Sequence, residues 1–229
     1  MAAQPLFFCI VYLAADFGGD EMKYYVMGAD ERFEILKTML TCAPEDEADM
    51  IVPTPTAKLH GANIVNYASD EEYLTRNADI TAEGAVWLLM RELDRTISGR
   101  SVTVVGSGRI AKLLAEKLNA LGASVTVACR SERERAMFAI LGMNAAPIEN
   151  IGGTIIINTV PERVVDLDNL RKGALLIELA SKPGGFDQEE AEKRGMRVVA
   201  APGLPAKYAP RSAAEAIAAF IRKGERAKP

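Results

Sequence analysis

The chain has 229 residues, of which 49% are hydrophobic and 25% charged, and its formal net charge is −4. This composition is typical of a globular protein and excludes a disordered, a collagen-like or a disulfide-framework chain. The acidic balance argues against a nucleic-acid-binding protein, which would usually carry a basic face. No apolar run approaches the ~20 residues that a membrane-spanning helix needs. We therefore expect a cytoplasmic protein with neither a nucleic acid nor a membrane among its partners.

Residues 1–21 differ from the rest of the chain. Their apolar run at residues 5–15 is not preceded by Lys or Arg, so it lacks the charged start of a signal peptide. An extra strand, or a start site placed upstream of Met22, explains the segment better than export does. We treat residues 1–21 as an extension.

A small α/β unit is predicted over residues 22–97. Its strands and first helix are expected at residues 23–27 (strand), 31–40 (helix), 50–52 and 63–65 (strands). Thr81 is then expected to open a longer helix that crosses to the next unit, because its hydroxyl can cap a first turn.

Strands and helices alternate strictly over residues 98–205. Apolar strands are predicted at residues 101–105, 124–129, 154–158, 174–179 and 197–200, with helices between most of them. Such alternation predicts a doubly wound parallel sheet. The expected fold class is therefore α/β, a Rossmann sheet preceded by a smaller N-terminal α/β unit.

Residues 206–229 are predicted to form a helix that packs back on the N-terminal unit. Ser212 and Glu215 match a capping box at its start. Its apolar stripe consists of Ile217, Phe220 and Ile221. We expect this stripe to cover the apolar face of the Thr81 helix, which consists of Val86, Leu89, Met90 and Leu93. The two units would then enclose a cleft.

A glycine-rich loop is the strongest chemical signal. Between a predicted strand and a predicted helix lie Gly106, Ser107, Gly108, Arg109, Ile110 and Ala111. Gly106 permits a tight turn, Gly108 lets the backbone approach a pyrophosphate, and the helix N-terminus faces the anion. The motif alone is weak, but its strand–turn–helix context favours a dinucleotide site over an ordinary turn.

The end of the next strand bears on which dinucleotide binds. An NAD site usually has Asp or Glu there, whereas this chain has Arg130 and Ser131. A guanidinium can bind a 2′-phosphate through two hydrogen bonds, and a serine hydroxyl can donate to it. NADP is therefore favoured over NAD. The alternative is that Arg130 is a solvated residue and Ser131 only a helix cap.

Loops after three further strands should meet the glycine loop, because the carboxyl ends of parallel strands share one edge of the sheet. The candidate cofactor contacts in these loops are Asn158, Thr159, Val160, Pro161, Ala180 and Pro202. Ordinary turns remain the alternative for each of these loops.

No residue is an obvious acid or base. The single histidine, His60, is expected in a surface turn, and no cluster of residues suggests a metal site. Proton transfer would then fall to a carboxylate, a lysine or water. Glu83 and Lys182 are the best-placed catalytic candidates, although Glu83 could merely complement the dipole of a helix N-terminus.

Several segments together resemble the A subunit of dipicolinate synthase from spore-forming bacteria. Besides the glycine loop, they lie at residues 22–30, 77–85, 157–161, 178–185, 201–205 and 209–213. TAEGA (residues 81–85) and APGLP (residues 201–205) are the most specific of them. The resemblance implies a sporulation enzyme that oxidises a dihydrodipicolinate precursor to dipicolinate by hydride transfer to a nicotinamide, alongside a flavoprotein-like B subunit. It also implies an oligomer.

A dicarboxylate substrate requires cationic or N–H partners. Lys182, Lys207 and Arg211 lie on loops expected to face the cleft, and Thr81 of the TAEGA segment joins Lys207 and Arg211 as a substrate-binding candidate. Each of the three cations could instead be a surface charge. Two other functions stay open: an NADP-binding regulatory or interaction subunit without turnover, and a related dehydrogenase acting on another small carboxylate.

Overall fold

The computed structural model describes residues 22–59 and 61–226, so the predictions for residues 1–21 and for His60 lie outside the described residues. The first elements are β1 (Tyr24–Val26), α1 (Glu31–Lys37), β2 (Met50–Val52) and α2 (Glu71–Glu92). They are followed by β3 (Ser101–Val105), α3 (Arg109–Ala120), β4 (Ser124–Ala128), α4 (Glu132–Ile140), β5 (Asn144–Ala146), β6 (Ile155–Asn158), β7 (Leu175–Glu178), α5 (Gln188–Lys193), β8 (Arg197–Ala200), α6 (Leu204–Tyr208) and α7 (Pro210–Arg226).

Two parallel sheets form the molecule. The small one pairs β1 with β2, and the large one has the order β5-β4-β3-β6-β7-β8. This is the strand order of a dinucleotide-binding sheet, and it reverses direction between β3 and β6. The predicted fold class, a doubly wound parallel Rossmann sheet with a smaller α/β unit, is confirmed. The edge strand β5 was not predicted, because its short segment Asn144–Ala146 has no apolar run.

Alternate residues of the central strands enter two different cores. Val104 and Ile157 pack with α2 and α3 on one face of the sheet, whereas Val105 and Ile156 pack on the opposite face, beside Phe186. Burial on both faces explains why these strands are continuously apolar in sequence.

Helix α2 begins ten residues earlier than predicted, at Glu71 instead of Thr81. Asp70 is its N-cap, and the Asp70 carboxylate accepts a hydrogen bond from the Tyr73 N–H at 2.9 Å. Thr81 lies inside the helix, where its buried hydroxyl donates to the Asn77 carbonyl at 2.7 Å. The prediction that Thr81 opens the helix was wrong, because the hydroxyl of a threonine can also bond the carbonyl one turn earlier.

Helix α7 begins at Pro210 rather than Ser212 and follows the unpredicted helix α6. Proline suits a first helical position, since it has no N–H to leave unpaired. Ile217 and Ile221 pack in the core that contains Phe33 and Leu36 of α1.

The partner surface predicted for α7 was wrong. Val86 and Leu89 of α2 are buried against α3 and the large sheet, while Met90 is 50% exposed. Helix α3 already covers that face of α2, so the apolar stripe of α7 is buried against α1 and the small sheet instead. Within the described residues, no helix combines the length and apolarity needed to cross a membrane.

Candidate functional site

The glycine loop lies where the direction of the large sheet reverses. Gly106 has φ +115°, and a Cβ built on it would lie 2.5 Å from Thr159 Oγ1. Thr159 in turn donates through Oγ1 to the Val105 carbonyl at 2.7 Å. The loops after β3 and β6 therefore pack directly on one another, and this close approach requires glycine at position 106.

Gly108 differs from Gly106. It is the N-cap of α3, with extended backbone and no side-chain hydrogen bond to the cap, and a Cβ built on it would meet nothing within 4 Å. The backbone is thus accessible in front of the helix N-terminus, which is the arrangement that binds phosphate groups. This open cradle fits the pyrophosphate of a nicotinamide dinucleotide.

A cavity of about 400 Å³ lies in front of the loop. The predicted cofactor residues in its wall are Gly106, Ser107, Gly108, Arg109, Ile110, Thr159, Val160 and Pro161. Leu74, Asn77 and Ala78 of α2 complete it. We call it the nucleotide cavity. The structure thus brings together most of the predicted cofactor residues, including those separated by about fifty positions in sequence.

Asn158 and Ala180 hold the loops rather than line the cavity. Asn158 Nδ2 donates to the Glu178 carboxylate at 2.7 Å and to the Val160 carbonyl at 2.8 Å. The same buried carboxylate accepts from the N–H groups of Ala180 at 2.9 Å and Gly185 at 2.7 Å. The Glu178 carboxylate therefore joins the loops after β6 and β7. Its position at the end of an apolar strand is the signal that could have identified it.

The Arg130 and Ser131 side chains lie after β4. Ser131 caps α4, as expected, by accepting from the Glu134 N–H at 3.3 Å. The exposed Arg130 guanidinium forms an ion pair with Glu162, the residue that follows the loop after β6. Glu162 was not predicted, and it competes with any phosphate group for Arg130.

A second cavity, of about 500 Å³, lies between the small sheet and the large one. We call it the substrate cavity. Its polar wall includes Asp30, Arg32, Thr54, Thr56, Tyr73 and Asn77. Gly203 and Pro205 of the APGLP segment also line it. Leu74 and Asn77 border both cavities, so the two cavities meet at the first turns of α2.

Neither catalytic candidate lines these cavities. Glu83 is exposed and accepts a hydrogen bond from Tyr208 Oη at 2.8 Å, which raises the pKa of that phenol. The ion pairs Arg109–Glu71 and Lys117–Asp79 show that α2 and α3 run side by side in the same direction. Lys117 lies about 12 Å along α3 from its first residue, and Glu83 lies beyond the Asp79 level on α2. Glu83 is therefore remote from the glycine loop.

The other candidates also lie outside both cavity walls. Lys182, Pro202, Lys207 and Arg211 are exposed, and the Thr81 hydroxyl proton is used inside α2. Their predicted roles stay predictions without support from the cavity geometry. No group of three or more His, Cys, Asp or Glu side chains in the described part of the chain could hold a metal ion.

Comparisons with known proteins bear on the family. No family model matches the chain. It is 34% identical to the dipicolinate synthase A subunit of Bacillus subtilis over 155 residues, which is 64% of this chain and 52% of that protein. The match thus spans about half the length of the curated relative. This sequence similarity confirms the resemblance to the A subunit of dipicolinate synthase.

Solved structures agree with the fold. The dipicolinate synthase A subunit of Bacillus halodurans has a TM-score of 0.77 and 25% identity, and the match covers 91% of this chain and 98% of that one. The B. subtilis A chain has a TM-score of 0.78 and 23% identity, covering 90% and 96%. A transhydrogenase from Sinorhizobium meliloti has a TM-score of 0.66 and 16% identity, covering 89% and 92%. The fold is consistent with an NAD(P)-binding, dehydrogenase-like protein.

Proposed function

We propose that this chain, similar to the dipicolinate synthase A subunit in sequence and fold, belongs to an NADP-dependent oxidoreductase that oxidises a dihydrodipicolinate-type acid to dipicolinate. The observation that carries the proposal is the junction of the two cavities at Asn77. A dinucleotide on the glycine loop could then present its reactive ring to a small acid held beside the N-terminal sheet.

The nucleotide cavity supplies the binding groups for the cofactor. Backbone N–H groups at the start of α3 would bind the pyrophosphate, and the open space at Gly108 admits it. Arg130 and Ser131 would bind a 2′-phosphate, which requires Arg130 to exchange or share its partner Glu162. This exchange is the basis of the proposed preference for NADP.

The chemistry requires little of the protein beyond orientation. A bound nicotinamide would accept a hydride from the dihydropyridine ring, whose product is aromatic. The walls of the substrate cavity would hold the acid and restrict its motion. The ring also loses a proton, and Asp30 is the carboxylate in the wall of that cavity. We propose Asp30 or a water molecule beside it as the proton acceptor.

The proposed assembly follows from the names of the relatives. Because those names designate one lettered component of a synthase, we propose a partner subunit, flavoprotein-like as in the family, and an oligomeric complex. The proposed division is an N-terminal unit at residues 22–97, a cofactor domain at 98–205 and a C-terminal segment from residue 206. A partner could complete the substrate cavity, which is open between the first two of these.

Turnover tests the proposal directly. The full chain is mixed with a dihydrodipicolinate preparation and either NADP⁺ or NAD⁺, with and without the candidate partner, and reduced nicotinamide is followed by its absorbance. We expect reduction of NADP⁺, with dipicolinate as product by mass spectrometry. Nucleotide binding without turnover in every mixture would contradict the enzyme and favour a regulatory role. Turnover of another small carboxylate alone would favour a related dehydrogenase.

A further inference from the structure

A buried, incompletely bonded arginine lies in the wall of the substrate cavity. Arg32 is only 9% exposed, although it carries a full charge. Its Nη2 donates to Asp30 Oδ2 at 2.8 Å, and Asp30 is the one hydrogen-bond partner of the guanidinium in the described part of the chain. The Nε atom is buried without a hydrogen-bond partner among those same residues. A buried charge that leaves donors unused is costly, so this arrangement calls for an explanation.

The position of the guanidinium is set by its neighbours. Its Cζ lies 4.5 Å from the centre of the Phe33 ring, in a cation–π contact. The ring is itself fixed against Gly28, where an added Cβ would lie 1.9 Å from Phe33 Cδ2. Burial raises the pKa of Tyr73, and the positive charge of Arg32 opposes that rise, so the two side chains are near neighbours. The guanidinium is thus held in place before any ligand arrives.

The substrate cavity has the features of a site for a small acid. Arg32 is its one cation among the described residues, and the hydroxyls of Thr54 and Thr56, 3.5 Å apart, provide neutral donors. Asn77 stands where the cavity meets the nucleotide cavity. A carboxylate on Arg32 would therefore place the rest of the molecule toward the cofactor.

We propose that Arg32 binds a carboxylate of the substrate, a small aromatic or dihydroaromatic dicarboxylic acid, in the substrate cavity. The planar guanidinium suits a carboxylate, because it can donate two parallel hydrogen bonds. Asp30 occupies one terminal nitrogen in the free protein and acts as an internal competitor. Thr54 and Thr56 are the donors available to the second carboxylate. The identity of the acid rests on the proposed function, whereas the binding of a carboxylate by Arg32 does not.

Direct binding tests the assignment without any turnover. Calorimetry on the full chain, with and without NADP⁺, would measure the affinity of pyridine-2,6-dicarboxylate, pyridine-2-carboxylate, phthalate and pyridine. We expect the first to bind most tightly, and Arg32→Gln to weaken it roughly ten- to a hundredfold, the effect of losing a charged hydrogen-bonding partner. Arg32→Lys should recover only part of the affinity, since it keeps the charge but not the fork.

Two further variants make the test independent of folding defects. Asp30→Asn keeps a side chain that can cap α1 and removes the competing charge, so it should tighten carboxylate binding several-fold. Arg197→Gln is the matched control. Arg197 bonds to Glu92 at the amino-terminal end of β8, away from both cavities, and its loss should leave acid affinity unchanged. NADP⁺ affinity and the thermal unfolding midpoint of each variant report on the fold.

The outcomes separate this assignment from the proposed function. Equal acid affinity in the wild type and Arg32→Gln would overturn the role of Arg32, as would no carboxylate binding at all by a chain that binds NADP⁺. If Arg32→Gln cannot be folded, looser acid binding by Asp30→Asn would overturn it as well. Arg32-dependent binding of phthalate but not of pyridine-2,6-dicarboxylate would support Arg32 and contradict the dipicolinate assignment.

Discussion

Two glycines of the same loop should respond in opposite ways to the same small change, an added methyl group. At Gly106 the backbone has φ +115°, and the new Cβ would lie 2.5 Å from Thr159 Oγ1 and 2.9 Å from Val160. Unfavourable backbone conformation costs about 1–3 kcal/mol, and overpacking costs about 1–3 kcal/mol. We therefore expect Gly106→Ala to lower the free energy of unfolding by about 2–5 kcal/mol.

Gly108→Ala should leave the fold intact and weaken the nucleotide. The residue has φ −72°, which alanine adopts readily, and its Cβ would enter open space. Stability should be unchanged or rise by up to about 1 kcal/mol, because alanine restricts the unfolded chain. The methyl group would occupy the approach of the pyrophosphate, so we expect NADP(H) affinity to fall at least about tenfold, or 1.4 kcal/mol.

Urea denaturation and calorimetric titration with NADPH measure both quantities on each variant. The reasoning would be refuted if Gly108→Ala bound NADPH as tightly as the wild type, because the cradle would then not hold the pyrophosphate. It would equally be refuted if Gly106→Ala were as stable as Gly108→Ala, since the contrast depends on the loop packing at Thr159. The larger Gly108→Val should bind still more weakly with the fold retained.

Three other predictions concern the specificity pair, the loop clamp and the core beneath α7. Arg130→Ala should weaken NADP roughly ten- to a hundredfold and NAD far less, because only NADP carries the 2′-phosphate. Glu162→Gln should tighten NADP several-fold by releasing Arg130. Glu178→Gln should lower the free energy of unfolding by about 1–3 kcal/mol, since an amide N–H₂ would then face a buried donor. Ile217→Ala should lower it by about 2–5 kcal/mol through loss of core packing.

Each of these predictions has a matched control. Equal weakening of NADP and NAD by Arg130→Ala would remove the phosphate role of the guanidinium. Glu189→Gln, at an exposed position of α5, should leave stability within about 0.5 kcal/mol, and the same result for Glu178→Gln would contradict the clamp. Ile140 is 80% exposed, so Ile140→Ala should have little effect. Unfolding by urea, followed by circular dichroism, compares both pairs.

The large sheet could be predicted because its signals are local. Burial on both faces demands apolar residues at every position, so β6 and β7 stand out as short continuous runs. Once the strands are parallel, the loops after β3 and β6 must share one edge, and the meeting of Gly106 with Thr159 follows. Strand β5 lacks this signal because it is an edge strand of three residues.

The candidate acid site could not be predicted in the same way. Arg32 follows a turn in sequence and looks like any polar residue of a short helix. Its burial depends on Phe33, on Tyr73 of α2 and on the loop after β2, which are brought together only when the units pack. The cations that sequence position favoured, Lys182, Lys207 and Arg211, are exposed instead.

Helix pairing shows the same division between local and distant information. The chain by itself determined that α2 and α7 each carry an apolar face, since that is a matter of spacing along one helix. Which surface covers each face was decided by the tertiary structure: α3 covers Leu89 of α2, and Ile217 of α7 packs near Phe33 of α1. The physical reason is that burial of apolar surface is non-directional, so any apolar face can satisfy another. Chain connectivity and the space left by the other elements select the pair that forms.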